Sequence, residues 1–260
     1  MRHPLVREND PKRGISVSTL ARDYPRDSHV APHAHGSDQL IYASRGVMHV
    51  SSGQKLWMIP PHFGLWIPAR TLHQIRMPES VSMRTLYLRP GLAGLPPQCA
   101  VLHVRPLLRE LVFEIVRLGS LRIDRPIDSA FARLMVAELE RASPVPVVLS
   151  LPLDRRALGV ARAVMEDLRL QETLKASCAS AGISVRTLER TFQKDVGTDF
   201  ETWRRHVRLM KAVELLVSGS SVKEAAFAVG YQQPNALVAL FRRTFGATPK
   251  AWISELGPGR

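Results

Sequence analysis

The sequence predicts an α+β chain of two domains: a small antiparallel β-barrel with helices behind it, then an all-α tail of two tandem helix-turn-helix units. Three observations carry that prediction. Short alternating segments broken by Pro and Gly fill residues 15–90: QLIYAS, VMHVSS, KLWMIP, GLWIPA and SMRTLYLRP. Helical periodicity replaces them over 101–142. Finally, residues 174–203 and 222–252 repeat one pattern: Leu174, Gly182, Leu188, Phe192, Gly197 and Trp203 answer to Val222, Gly230, Leu237, Phe241, Gly246 and Trp252. The offset is 48 up to the glycine (230−182) and 49 beyond it (237−188), so the second copy has one extra turn residue.

Taken in chain order, residues 1–14 are polar and are expected to be a flexible N-terminus. Residues 15–100 form the barrel. In 101–142, Val104, Leu107, Leu108, Leu111, Val112, Ile115 and Val116 make one apolar stripe, and Phe131, Leu134, Met135 and Leu139 another. That is more apolar surface than a helix packed on a small barrel needs, so this segment is assigned to dimerisation as well as to intradomain packing. The Pro-rich stretch 143–156 reads as a linker, and a helix over 157–170 leads into the tail, which runs from 157 to 260.

Each unit of the tail has the parts of a groove reader. In the first, Val185, Leu188 and Phe192 share one helix face, Ser184 is a natural N-cap and Gly197 a C-terminal stop. Arg186, Glu189, Arg190 and Gln193 fall on the opposite face, with Lys194 beside them. In the second, Leu237, Leu240 and Phe241 are the apolar face and Pro234 suits the first turn. Asn235, Ala239 and Arg242 project the other way, with Arg243 next in line. Thr198-x-x-Glu201 and Ser221-x-x-Glu224 read as capping boxes. Between them a helix over 199–217, at ~1.5 Å per residue, is about 28 Å long. That approaches the roughly 34 Å of one duplex turn, so the two helices suit successive major grooves of double-stranded DNA.

Residues 173–254 resemble the DNA-binding domain of the AraC/XylS family of bacterial transcription regulators, most clearly in SVKEAAFAVGY and ALVALFRRTFGATPKAW. The resemblance implies base contacts from Arg186, Glu189 and Arg190 in one groove and from Asn235, Ala236 and Ala239 in the next. Ser177, Asp199 and Leu237 depart from the family pattern, and Ala239 stands where relatives often carry a longer polar side chain. The second helix is therefore expected to read thymine methyls or shape.

The front domain carries His33-x-His35-x3-Gln39-x6-Gly46, then Pro68-x4-His73. This resembles the two motifs of the cupin barrel, with Gln39 in place of an acidic ligand and Arg70 in place of a glycine. The whole chain is thus similar to cupin-sensor members of the AraC/XylS family. Three imidazoles suit Zn²⁺, Ni²⁺ or Fe²⁺, but a carboxamide brings no charge. The reading favoured is an effector pocket lined by His33, His35, Gln39, Trp66 and His73, with no cofactor. A divalent metal on His33, His35 and His73 is the alternative.

Composition agrees with a polyanionic partner: 36 Lys+Arg against 23 Asp+Glu give a net charge of +13. The excess is spread evenly, 17−11 over residues 151–260 and 19−12 over the first 150, so charge does not locate the DNA surface. Two unrelated cysteines, Cys99 and Cys178, suit a reducing compartment. With no signal peptide and no long apolar run, the expected location is the cytoplasm, away from membranes. The expected function is a ligand-responsive transcription regulator, a homodimer that contacts RNA polymerase if it activates. The rivals are a cupin-type metal-dependent enzyme with an appended DNA-binding module and an architectural DNA binder with a vestigial sensor.

Overall fold

A computed structural model describes residues 8–142, 148–168 and 174–255. The chain divides into two compact units, one of residues 1–53 and 57–147, the other of 54–56 and 148–260.

The first unit opens with strands β1 (Ile15–Tyr24), β2 (Ser28–His33), β3 (Asp38–Arg45), β4 (Met48–Ser52) and β5 (Lys55–Ile59). It continues with β6 (Phe63–Ile67), β7 (His73–Met77), β8 (Val81–Leu88), β9 (Ala100–His103), α1 (Pro106–Leu118), β10 (Ser120–Arg122) and α2 (Pro126–Glu140). One antiparallel sheet runs β10-β1-β8-β3-β6-β9, and the second includes β5-β4-β7-β2. Register assigns the faces. Leu40 pairs with Leu86 and Trp66, and all three lie in one buried cluster with Leu108, Val112 and Ile115 of α1 and Met135 and Leu139 of α2. Because side chains alternate along a strand, the neighbouring register of Gln39 with Tyr87 and Ile67 faces the other way.

Three expectations change here. Residues 101–103 are strand, not helix: Val101 pairs with Leu65 and Leu102 with Gly64, and the helix starts only where Pro106 occupies its first turn. In the flexible N-terminus assigned to 1–14, residues 1–7 lie outside the described residues, and Asp10 is tied down. Its carboxylate accepts the Gly36 amide at 3.0 Å, the Ser37 amide at 3.2 Å and the Ser37 hydroxyl at 2.5 Å. The linker over 143–156 is also too long. Residues 143–147 lie outside the described residues, but Val148–Ser150 form strand β11 and Asp154 caps α3 (Arg155–Glu166), accepting from Arg156 and Ala157.

The second unit continues with α4 (Leu174–Ser180), α5 (Val185–Asp195), α6 (Phe200–Val217), α7 (Val222–Ala228), α8 (Pro234–Phe245) and α9 (Pro249–Glu255). The predicted helix over 157–170 ends at Glu166, with residues 169–173 outside the described ones. The duplication is visible in the packing. Phe192 meets Trp203 at 5.3 Å and 67°, while Phe241 meets Trp252 at 5.5 Å and 75°. The turn glycines Gly182 and Gly230 sit at φ +66° and +86°, where an L side chain is strained, and a Cβ on Gly230 would also lie 2.9 Å from the Leu168 carbonyl. Ser184 caps α5 through Thr187, and Ser221 with Glu224 forms the capping box of α7. The box foreseen at Thr198 is replaced by Asp199, one residue on, whose carboxylate accepts from Thr202. β11 is anchored within this unit, the Trp203 indole donating to the Ser150 carbonyl at 2.9 Å.

Candidate functional site

Two polar constellations stand out, one in each unit. In the sensor, β2 and β7 pair so that His33 faces His73 across the ladder. His33 and His73 rings are 4.3 Å apart, His33 and His35 4.8 Å, and His35 and His73 5.6 Å. One ligand nitrogen from each lies within 4.8 Å of the others. The two motifs are joined by backbone: the Arg70 amide donates to the His35 carbonyl at 2.7 Å. Arg70 does so at φ 64°, a left-handed conformation that accounts for the glycine common at that turn.

The rings are oriented from behind. Nδ1 of His33 lies 2.7 Å from the Ala31 carbonyl, and Nδ1 of His73 lies 2.9 Å from that of Thr71. Those contacts assign the proton to Nδ1 and leave Nε2 as the lone-pair nitrogen, the arrangement typical of metal-binding imidazoles. His73 Nε2 and Gln39 Oε1 are buried without a partner. Burial holds His73 down to about 4 against the contact with Thr71, so the ring is neutral near pH 7. Tyr87 closes the cluster, 4.9 Å from His35, its hydroxyl bonded to Asn9 and Gln39; burial pushes its pKa up. Thr85, one step along the same face of β8, has a buried hydroxyl with no partner. Ile41, Leu65 and Ile67 supply apolar surface on that face by register with Thr85 and Gln39.

Of the predicted pocket residues, the structure brings together His33, His35, Gln39 and His73. It does not bring Trp66, which is 2% exposed in the cluster under α1 and α2 and donates its indole N–H to the Pro96 carbonyl at 3.2 Å. Tyr87 was missed. Its sequence signal was its parity with Thr85 in β8, which needs the register to be read.

The donor set can be tested against the divalent ion that the cupin resemblance implies. Orphaned lone pairs on His73 and Gln39 and a neutral imidazole are what such an ion requires. The three histidines therefore fit a borderline-soft divalent ion, without the carboxylate that would add charge.

In the second unit, Arg186, Arg190 and Lys194 are exposed along α5, as are Asn235, Ala236, Ala239, Arg242 and Arg243 along α8. Glu189 has a different role from the base contact expected of it. Its Oε2 accepts the Phe200 amide at 3.1 Å, so the carboxylate sits at the N-terminus of α6, where an anion is favoured. Sequence reading missed the arginines of α6. Arg204 pairs with Glu201 at 2.6 Å, Arg208 lies over the Tyr231 ring at 5.6 Å, and Arg205 donates to Thr202 at 2.9 Å. Cys178 is buried, which raises its thiol pKa and leaves it a core residue.

An oriented polar cluster inside a barrel, in a chain that also carries two capped basic helices, defines a DNA-binding transcription regulator with a ligand-binding sensor domain. The chain belongs to the AraC/XylS family. Residues 14–142 match the AraC-like ligand binding domain and residues 177–255 a helix-turn-helix domain. It is 25% identical over 224 residues to the HTH-type transcriptional regulator NimR of Escherichia coli K12, covering 86% of this chain and 82% of that one. It is 34% identical over 110 residues to the HTH-type transcriptional regulator RipA of Corynebacterium glutamicum, covering 42% and 33%. Among solved structures, ToxT from Vibrio cholerae aligns over 94% of this chain and 100% of its own at 10% identity, with a TM-score of 0.40. Among the described residues no helix is long and apolar enough to cross a membrane.

Proposed function

We propose that this chain acts as a homodimeric cytoplasmic regulator, without catalysis, whose effector seats its polar group against His33, His35, His73, Gln39 and Tyr87. The observation that carries this reading is the convergence of three imidazoles, two of them oriented from behind by backbone carbonyls. The apolar residues beside them suit an effector with a hydrocarbon body and a hydrogen-bonding head. Arg186 and Arg190 read bases in one groove; Asn235, Ala236 and Ala239 read them in the next.

A divalent ion held by His33, His35 and His73 would supply a Lewis-acidic point for the effector's head group. We expect less than one ion per chain, because Gln39 contributes no charge. Elemental analysis of protein made without an affinity tag checks this, and one tightly held ion lost in His35→Ala would reverse the preference. Dimerisation is supported by apolar side chains left outside on the helical segment: Leu107, Leu118, Ile123, Ile127 and Leu134. Contact with RNA polymerase belongs to an activating role.

The reading is tested by sequencing the genomic fragments retained by the purified protein at physiological salt, then screening small molecules that change retention. Recovery of a few sites sharing two half-sites about one turn apart supports it. Uniform retention of all fragments points to the architectural binder, and turnover of a metabolite by metal-loaded protein points to the enzyme.

A further inference from the structure

Beside the second recognition helix the second unit has a groove of about 230 Å³, lined by Arg205, Tyr231, Ala236, Ala239, Leu240 and Arg243. Its floor is apolar and its two cations come from different helices, Arg205 from α6 and Arg243 from α8. Arg205 donates to the Thr202 hydroxyl, and its Nε is buried without a partner. Among the described residues no carboxylate pairs with either cation, whereas the neighbouring Arg204 is matched by Glu201. His206 lies in the same field, held below the ordinary imidazole range by burial first and then by Arg205 and Arg243. Arg208 is pushed down by burial and then by Arg204. The Asp199 carboxylate lies within electrostatic reach of Arg205 but makes no ion pair with it, so both guanidiniums remain open to an outside anion.

The two cations sit next to Ala236 and Ala239, on the face of α8 that the DNA-binding reading turns toward base edges. A group beside a helix in the major groove meets the sugar-phosphate backbone. A phosphodiester has one negative charge and two non-bridging oxygens, which a guanidinium fork matches. We propose that the groove between Arg205 and Arg243 seats one backbone phosphate of the duplex that α8 enters, with Arg205 as its principal ligand. The proposal rests on the DNA-binding reading but assigns a contact which that reading does not require. Helix α6 then touches DNA itself besides spacing the two recognition helices.

The experiment uses the full-length protein, its selected operator duplex and a random duplex, over a potassium chloride series. Arg205→Gln should lower the salt slope of log K by about 0.9 and weaken both duplexes by the same factor. Arg205→Lys keeps the charge and should keep most of the slope while losing affinity. A duplex in which one phosphate beside the α8 groove is replaced by neutral methylphosphonate should bind wild type more weakly and Arg205→Gln no differently from the parent duplex. Thermal melts of each variant check folding, and Arg205→Lys preserves the informative comparison if the Gln variant melts early. An unchanged slope in Arg205→Gln, or a methylphosphonate penalty of equal size in that variant at every position, overturns the assignment. Failure of the DNA-binding reading would look different, because wild type would then select no operator at all.

Discussion

Arg186 and Arg190 are exposed one turn apart on α5, and no carboxylate among the described residues is paired with either. Each has its full guanidinium fork for a guanine edge, so Arg186→Ala or Arg190→Ala should cost roughly 1–3 kcal/mol on the operator and less on random DNA. Equal losses on both duplexes would make the residue a phosphate ligand instead. His62 offers a test in the sensor. Burial, then His103 and Arg109, lowers its pKa to about 4. An unfolded histidine takes up its proton near pH 6.5. Between about 6.5 and 4, therefore, the unfolded chain gains a proton that the folded chain refuses, and stability falls as pH falls. Above that window His62 has no such effect. Asn also tolerates the φ of 74° found at His62, so His62→Asn should flatten the decline of melting temperature between pH 6.5 and 4. An unaltered decline would assign it to other groups such as His73, which shares the sign. At this scale helical periodicity was enough to place Arg186 and Asn235 on the exposed faces of their helices. Sequence reading misassigned Glu189 to base contact, because periodicity put it with the readers while the partner that claims it, the Phe200 amide, lies eleven residues on.

Helices α1 and α2 bury one face and expose another. Leu108, Leu111, Val112 and Ile115 point into the sensor core, while Ile127 and Leu134, two turns apart on α2, are 64% and 44% exposed. Apolar surface at that spacing forms a strip that a second copy can cover. The double variant Ile127→Asp/Leu134→Asp should halve the mass seen by light scattering, leave the melting temperature within a few degrees, and weaken operator binding. A wild-type protein that is monomeric at every concentration tested, and binds as tightly as the variant, would sink the interface. The elements that escaped sequence reading were the shortest. β11 is three residues long and β9 four, too few to display alternation. Pro106 occupies the first turn of α1, but the apolar residues before it blended into the helical stripe. The place of Trp66 depended on strand parity: its register partner is Leu40, not Gln39, which turns the indole away from the histidines. Composition cannot supply that, since slipping one residue reverses every face.

The whole chain is two units of unlike legibility. The DNA-binding unit announced itself because duplication repeats a packing solution, with Phe192 on Trp203 and Phe241 on Trp252, and each repeated residue is a separate witness. The sensor disclosed its barrel and its histidines but not its effector, since pocket chemistry is assembled from alternate residues of several strands and from Asn9 near the N-terminus. One dimension of the molecule has a mechanical consequence. Helix α6, with 18 residues, is about 27 Å long, some 7 Å less than the ~34 Å repeat of straight B-form DNA. A stiff strut shorter than the span between two grooves favours a duplex that curves toward it. The elastic cost of such curvature, of order 1–6 kcal/mol, is set by base steps that no side chain touches. Operators with a pliant TA or CA step midway between the half-sites should therefore outcompete otherwise identical ones carrying a rigid A-tract there. The bound fragment should also migrate in gels as a bent one does, most slowly when the site lies at its centre.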